Sequence, residues 1–209
     1  MEIKVLCHSS IKIVGEGKII YLDPYRIKQE KNDADIIFIT HSHYDHFSQE
    51  DILKIKNEKT KILVTTDMIE KTLELGFKKE DIITVTPNNL YTVLGIEIKT
   101  IPSYNINKKF HPKENNWVGY ILKLEDKNIY VAGDTDITEE NKNVKCDIAL
   151  IPVGGTYTTN YKEAAELVNI IKPEIVIPMH YAELVGTKED ATKFEELVNS
   201  NIQVDIQIK

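Results

Sequence analysis

The chain has 209 residues, of which 42% are hydrophobic and 28% charged, a composition typical of globular rather than disordered proteins. This length suits a single domain over residues 1–209 that can bury a sizeable core. The formal net charge of −7 disfavours non-specific binding to phosphate backbones, so no nucleic-acid partner is predicted.

The N-terminal part of the chain is predicted to be rich in strands. Short apolar runs indicate strands over residues 2–6, 11–14 and 18–22, and the glycines of residues 15–17 can supply the positive φ angles of a hairpin turn. The continuous apolar run over residues 35–40 indicates a strand that is buried on both faces.

The next segment is predicted to alternate helices and strands. A helix should begin at Ser48, because Ser48 can cap it and Asp51 follows three residues later, as in an acidic variant of the capping box. A second helix is predicted over residues 66–75 and should end at Gly76. Strands are predicted over residues 61–65, 82–85, 90–93 and 96–101.

The remainder begins with a long polar loop over residues 102–116, and loops of this length in compact domains are often functional. A helix should begin at Asn160, which can form a capping box with Glu163, and run to about residue 171. The other predicted elements are strands over residues 117–124, 128–132, 147–151, 174–178 and 202–208, and a helix over 190–200. This order predicts two halves whose sheets pack together with helices outside.

A histidine-rich turn follows the predicted strand over residues 35–40. In an extended segment, residues two apart point the same way, so His41 and His43 can bind one metal ion together. The chain must then turn before the Ser48 helix, which can direct Asp45 and His46 to a second ion a few ångströms away. The alternative is a polar surface turn that happens to be rich in histidine.

Further metal ligands are expected where other strands end, because a rigid sheet positions them. Asp134 and His180 each follow a predicted strand, and the loop after residue 101 carries Asn105 and His111. A carboxylate such as Asp134 can bridge two cations, and imidazole with carboxylate suits Zn²⁺ and also Mn²⁺ or Fe²⁺. Alternatively, Asp134 forms a turn, His180 is a histidine of the core, and His111 is an exposed loop residue.

These motifs together resemble the metallo-β-lactamase superfamily. The resemblance rests on His41-x-His43-x-Asp45-His46, on Gly133-Asp134-Thr135 and on His180. Residues 7–10 and 20–25 add a likeness to the branch of small beta-lactamase-like metal-dependent hydrolases, which includes relatives of lactonases and phosphodiesterases. The resemblance implies an α/β fold, a four-layer αββα sandwich.

The resemblance also implies roles for the motif residues. It assigns one ion to His41, His43 and a third histidine, the other to Asp45, His46 and His180, and the bridging position to Asp134. The place where many members carry the third histidine holds Asn105, a poorer zinc ligand, so we predict that His111 supplies it instead.

Four residues are expected to support the site or its substrate, and Asn105 is one of them. Asp23 either orients a ligand histidine, as the resemblance implies, or forms a turn before Pro24. His8 either binds substrate or caps a local turn, and Tyr157 either contacts substrate or is an ordinary turn residue.

The predicted function is a metal-dependent hydrolase with two divalent ions, zinc above all. A metal-bridging hydroxide would attack an ester, lactone or phosphodiester-type small molecule, and Asp45 would hold the nucleophile and take its proton. The alternatives are a non-catalytic or sensing metal-binding protein and a diiron-type oxidoreductase. Such oxidoreductases carry a glutamate in the His-rich motif, where this chain has Ser42 and Tyr44.

The sequence also predicts a reducing, cytoplasmic location. Its two cysteines do not indicate a disulfide framework, residues 1–10 lack the pattern of a signal peptide, and no apolar run is long enough to span a membrane. The sequence leaves open whether the chain forms a homo-oligomer.

Overall fold

A computed structural model describes residues 1–208, which form two compact units that divide between residues 86 and 87. Each unit contains one β-sheet and the helices that follow its strands, so the predicted mixed α/β class with two sheets is confirmed. In the described part of the chain, no helix is long and apolar enough to cross a membrane.

The first unit contains a six-stranded sheet in the order β1-β2-β3-β4-β5-β6. The first three strands pair antiparallel, whereas β3 to β6 pair in parallel. Glu16 and Gly17 adopt positive φ angles of 50° and 69°, so the predicted hairpin turn is confirmed. Its elements are β1 (Glu2–Cys7), β2 (Ser10–Gly15), β3 (Lys18–Leu22), β4 (Ile36–Phe38), α1 (Gln49–Ile55), β5 (Lys61–Thr65), α2 (Ile69–Glu74) and β6 (Ile82–Val85).

Helix α1 begins where its sequence predicts. Ser48 is its N-cap, and the Ser48 hydroxyl contacts both the backbone N–H and the side chain of Asp51. The buried residues Ile52 and Ile55 pack into an apolar core with Ile37, Val64 and neighbouring side chains. The helix therefore fixes the chain directly after the histidine-rich turn.

The second unit contains a seven-stranded sheet in the order β13-β12-β11-β10-β9-β8-β7. Strands β7 to β10 pair antiparallel, and β10 to β13 pair in parallel. Its elements are β7 (Leu90–Val93), β8 (Ile96–Pro102), β9 (Val118–Leu124), β10 (Lys127–Val131), α3 (Glu139–Lys142), β11 (Ile148–Pro152), α4 (Tyr161–Ile171), β12 (Ile175–Met179), α5 (Lys188–Leu197) and β13 (Gln203–Val204).

Helix α4 is the main helix of this unit. Asn160 caps it and forms the predicted capping box with Glu163. Its apolar side chains, among them Leu167 and Val168, are buried in a core that includes Phe194 of α5. Since β10, β11 and β12 are parallel, their C-terminal ends lie at one edge of the sheet, and Asp134 and His180 follow two of these ends.

Several predicted boundaries are wrong. The final strand covers only β13 rather than residues 202–208, and the strand predicted over 35–40 is limited to β4. The helix predicted over 66–75 starts as a 3₁₀ turn at Thr66–Met68 before α2. The short helix α3 was not predicted, because it spans a single turn and its capping box uses Asn141.

Candidate metal centre

The histidine-rich turn of the first unit gathers several potential metal ligands. Buried His41 comes three residues after the end of β4, and its Nε2 lies 3.1 Å from Nδ1 of His43. Two ligands of one tetrahedral zinc ion, each bound at about 2.0–2.1 Å, are roughly 3.3 Å apart. The two nitrogens are therefore spaced as ligands of a single ion, as the sequence predicted from their alternation.

Asp23 and Thr40 hold two of these histidines. Asp23 Oδ1 accepts a hydrogen bond from the Thr40 backbone N–H at 2.8 Å, and Oδ2 accepts one from the Thr40 hydroxyl at 2.7 Å. Asp23 Oδ2 also lies 2.7 Å from Nδ1 of His46. Because a carboxylate only accepts, His46 carries its proton on Nδ1 and its lone pair on Nε2.

The same reasoning fixes the ring of His41. The Thr40 hydroxyl has a single hydrogen, which it donates to Asp23. It must therefore accept the hydrogen bond from Nδ1 of His41, which lies 2.9 Å away. His41 thus also presents the lone pair of Nε2, so Asp23 acts on two candidate ligands at once.

Asp45 lies between two other histidines of this unit. Its Oδ2 is 3.3 Å from Nε2 of His8 and 3.6 Å from Nε2 of His46. His8 follows β1, is fully buried, and lies edge-on to the ring of Tyr25. His8 is thereby placed beside the predicted catalytic carboxylate.

Residues of the candidate site adopt strained backbone conformations. His8, Asp23 and His180 have positive φ angles of 54°, 46° and 58°. Such angles cost a residue with a side chain of order 1–3 kcal/mol and cluster at functional sites. The fold holds this strain at three residues of the candidate site.

The second unit brings together three dispersed candidates. Oδ2 of Asp134 lies 3.3 Å from Nε2 of His111 and 3.1 Å from Nε2 of His180. All three side chains are buried. Gly133, with a φ of 67°, makes the turn that carries the chain from β10 to Asp134.

The side chain of Asn105 contacts His111. Asn105 Oδ1 lies 3.1 Å from the backbone nitrogen of His111 and 3.0 Å from its Nδ1. Its Nδ2 donates to the carbonyl of Tyr157 at 2.9 Å. Asn105 thus turns its oxygen to His111, whose Nε2 faces the carboxylate of Asp134. That His111 is the third ligand stays a prediction.

Asp136 was not singled out in the sequence, yet it holds the loop that carries His111. Its carboxylate accepts hydrogen bonds from the backbone of Ile106 at 2.9 Å and from Asn105 Nδ2 at 3.2 Å, and it pairs with Lys108. Asp136 is 8% exposed, so these interactions are largely shielded from water. The repeated aspartate two residues after Asp134 was the available signal.

Gly154 is a second residue that the sequence did not reveal. A Cβ at this position would lie 2.2 Å from the carbonyl oxygen of His180, closer than any non-bonded contact allows. The glycine therefore lets the segment after β11 approach the backbone of His180. Its only sequence signal was a pair of glycines after a strand.

The loop that carries His111 is also fixed at its surface. Tyr104 donates a hydrogen bond to Glu140 at 2.7 Å, and Lys113 pairs with Glu140 at 2.8 Å. Burial acts to raise the pKa of Glu140, but the hydrogen bonds from Lys113 and Tyr104 outweigh it, so the pKa lies below its ordinary value. Two lysines of this loop, Lys108 and Lys113, are thus engaged by carboxylates.

The nitrogen and oxygen donors of both units fit divalent zinc, manganese or iron. The sequence model of the family described as "Beta-lactamase superfamily domain" matches residues 2–180, the span that contains every candidate ligand. The chain belongs to the metallo-β-lactamase superfamily. The family resemblance drawn from the sequence motifs is confirmed.

Relatives in this superfamily match over almost the whole chain. A metal-dependent hydrolase of Thermococcus onnurineus is 31% identical over 220 residues, which cover 99% of this chain and 96% of the relative. A metal-dependent hydrolase of Methanosphaera stadtmanae is 34% identical over 220 residues, which cover 97% of this chain and 93% of the relative. A solved structure from Parabacteroides distasonis has a TM-score of 0.83 at 28% identity, covering 99% and 93%. This superfamily member is thus an enzyme from a family of metal-dependent hydrolases.

Proposed function

We propose that this metal-dependent hydrolase cleaves an ester, lactone or phosphodiester-type small molecule with two divalent ions, zinc above all. The observation that supports this most is the orientation of His41, His46 and His111. In each ring an oxygen acceptor holds Nδ1, which leaves the lone pair on Nε2. This arrangement is the one that metal-binding histidines use.

The proposed ligands come from both units. Within each unit, the distances between donor atoms support the proposed ligands. The assignment of ligands from both units to the same ions rests on membership of the superfamily. One ion would be held by His41, His43 and His111, the other by Asp45, His46 and His180, with Asp134 as the shared ligand. Asp134 suits this role because its two oxygens can bind two cations.

Two such cations, when bound, lower the pKa of a water molecule to about 7 and polarise the bond to be cleaved. The chain supplies the proton transfer. Asp45 would orient the attacking water and accept its proton. His8, whose Nε2 lies 3.3 Å from Asp45 Oδ2, would hold that carboxylate in position.

The substrate is proposed to have an apolar part. Phe110 and Tyr157 are 45% and 37% exposed, and their rings pack edge to face at 4.6 Å. They adjoin the proposed ligand His111, since Phe110 precedes it and the Tyr157 carbonyl accepts from Asn105. Exposed aromatic side chains beside a polar centre suit an alkyl or aryl group, so Tyr157 is proposed as a substrate contact.

The test is hydrolysis of a panel of aryl esters, lactones and phosphodiesters by purified, chelator-treated protein before and after zinc is restored. We expect activity only with metal. Asp134→Asn should lower kcat/KM by about 1000-fold or more, because each tenfold corresponds to about 1.4 kcal/mol and metal-ion catalysis supplies several kcal/mol.

Asp126→Asn is the matched control, because Asp126 is exposed in the turn between β9 and β10. It should leave kcat/KM unchanged. Full activity after verified metal removal, or a folded Asp134→Asn protein with wild-type turnover, would contradict the proposal.

A further inference from the structure

The side chain of Asn105 makes four hydrogen bonds, which is as many as an amide can make. Its Nδ2 donates to Asp136 Oδ1 at 3.2 Å and to the Tyr157 carbonyl at 2.9 Å. Its Oδ1 faces the backbone N–H of His111 at 3.1 Å and Nδ1 of the same residue at 3.0 Å. Asn105 itself is buried, so water does not readily replace these partners.

The orientation of the Asn105 amide follows from partners whose roles cannot change. A backbone N–H can only donate, and a carbonyl or carboxylate oxygen can only accept. A flipped amide would turn its NH₂ toward the His111 N–H and its oxygen toward Asp136 and Tyr157, so the contacts with all three partners of fixed role would become repulsive. Oδ1 therefore faces His111 whichever tautomer its ring adopts.

This orientation determines the state of the His111 ring. Because Asn105 Oδ1 is only an acceptor, Nδ1 of His111 must carry the proton that joins them. A neutral ring has one proton, for which Asn105 Oδ1 at Nδ1 and Asp134 Oδ2 at Nε2 compete. The Asn105 contact is the shorter, 3.0 Å against 3.3 Å, so the proton lies on Nδ1 and the lone pair on Nε2. The amide thus selects the nitrogen that can act as ligand.

We infer that Asn105, held by Asp136, is a positioning residue that sets the tautomer and ring orientation of His111. Asp136 anchors the chain on both sides of Asn105. Its backbone N–H donates to the Tyr104 carbonyl at 3.0 Å, and its carboxylate binds the backbone of Ile106 and the side chain of Lys108. Asn105 therefore binds no metal itself. That Nε2 of His111 binds a metal ion rests on the proposed function. That Nδ1 carries the proton does not rest on it.

The test is ¹⁵N NMR of the metal-free protein, at a pH where the ¹⁵N shifts themselves show a neutral His111 ring. Long-range ¹H–¹⁵N correlations distinguish the two tautomers, and His111→Gln assigns the signal. Wild type should show the proton on Nδ1. Asn105→Ala should shift His111 toward the Nε2–H form, whereas Asn107→Ala should not, because Asn107 is an exposed asparagine of the same loop.

Asn105→Asp separates selection of the tautomer from mere support of the loop. The carboxylate still accepts from Nδ1 of His111 but can no longer donate to Asp136 and Tyr157. We therefore expect the Nδ1–H form to persist in this variant. If either variant fails to fold, the wild type alone still decides, because a proton on Nε2 of His111 there contradicts the inference.

Zinc affinity, measured by competition with a chromophoric chelator, is the second readout. Asn105→Ala should weaken binding by about 10- to 100-fold, the usual effect of removing a residue that orients a ligand histidine. Asn107→Ala should stay within about twofold. The inference would be overturned by an Nε2–H tautomer of His111 in the wild type or in Asn105→Asp. An unchanged tautomer in folded Asn105→Ala would also overturn it. Each outcome would do so even if the protein hydrolyses its substrate with metal.

Discussion

The two units supply their candidate ligands in different ways. In the first unit, four of them lie within one turn of six residues, and Asp23 with Thr40 orients two of the rings. In the second unit, His111, Asp134 and His180 come from three distant parts of the chain. Their arrangement depends on a polar network around Asp136 and on the close approach at Gly154.

This difference shows where each half is vulnerable. A local motif keeps its ligands together by chain connectivity, so substitutions around it should mainly alter ring orientation. A dispersed set depends on packing, so a small steric change should displace a whole ligand. Substitutions that affect packing in the second unit are therefore expected to have larger effects than isosteric substitutions in the first.

Among substitutions outside the proposed ligands, the largest effect is expected for Gly154→Ala. The added Cβ would lie 2.2 Å from the His180 carbonyl, so the backbone of His180 must move. A displacement of about 1 Å can cost about 100-fold in activity, and overpacking costs about 1–3 kcal/mol of stability. Zinc affinity, kcat/KM and urea unfolding measure these losses.

Gly17→Ala provides the control for stability loss. Gly17 has a φ of 69° but open space around its Cβ position, so alanine there is strained without any clash. It should destabilise by about 1–2 kcal/mol and leave zinc affinity unchanged. Equal zinc affinities for the two variants would show that Gly154 does not position His180.

An intermediate effect is expected for Asp23→Asn. The amide oxygen must face the Thr40 N–H, which leaves the NH₂ group directed at Nδ1 of His46. Nδ1 would then accept, the ring proton would move to Nε2, and His46 could no longer bind a metal through that nitrogen. Zinc affinity should fall by about 10- to 100-fold.

Asp33→Asn is the matched control for this change. Asp33 lies in the same unit and pairs with Lys12 and Tyr21 rather than with a histidine of the turn. We expect zinc affinity and kcat/KM close to wild type for this variant. If zinc affinity fell as much as in Asp23→Asn, the loss of any carboxylate in this unit would weaken zinc binding. The orientation of the His46 ring would then not be the cause.

The smallest effect on activity, and a clear effect on stability, is expected for Asp51→Asn. The two carboxylate oxygens of Asp51 accept hydrogen bonds from the backbone N–H groups of Arg26 and Ile27. An amide in this place would direct its NH₂ group at one of these N–H groups, which is repulsive. Burial acts to raise the pKa of Asp51, but hydrogen bonds from Ser48, Lys54 and the two N–H groups outweigh it and lower the pKa.

This lowered pKa sets the sign of the pH dependence. The carboxylate stabilises the folded protein fully above the ordinary aspartate pKa of about 3.9, and this contribution is lost as the pH falls through the lower folded value. Urea unfolding should show Asp51→Asn to be less stable by about 2 kcal/mol at neutral pH, with the gap closing in acid. A gap that widens in acid would contradict this assignment.

The sequence predicted the parts of the fold that depend on local chemistry. The cap at Ser48, the capping box of Asn160 and the hairpin turn at Glu16 were all confirmed, because each involves residues within a few positions. The ends of β4 and β13 were wrong, since apolar composition alone does not show where pairing with a neighbouring strand stops.

The candidate site could be predicted only in part for a related reason. The turn from His41 to His46 is visible because its donors are adjacent in sequence. The contributions of Asp136 and Gly154 depend on contacts between segments far apart in the chain, which the nearby aspartate repeat and glycine pair do not reveal. For the same reason, the sequence did not show that Asn105 contacts His111.

The most direct test of the proposed centre is the metal content and X-ray absorption spectrum of protein loaded with zinc. We predict two zinc ions per chain, bound through imidazole nitrogens and carboxylate oxygens, and a reduced content in Asp134→Asn. A wild-type protein that holds no zinc after loading, or that binds it through the sulfur of Cys7 or Cys146, would contradict the proposed centre.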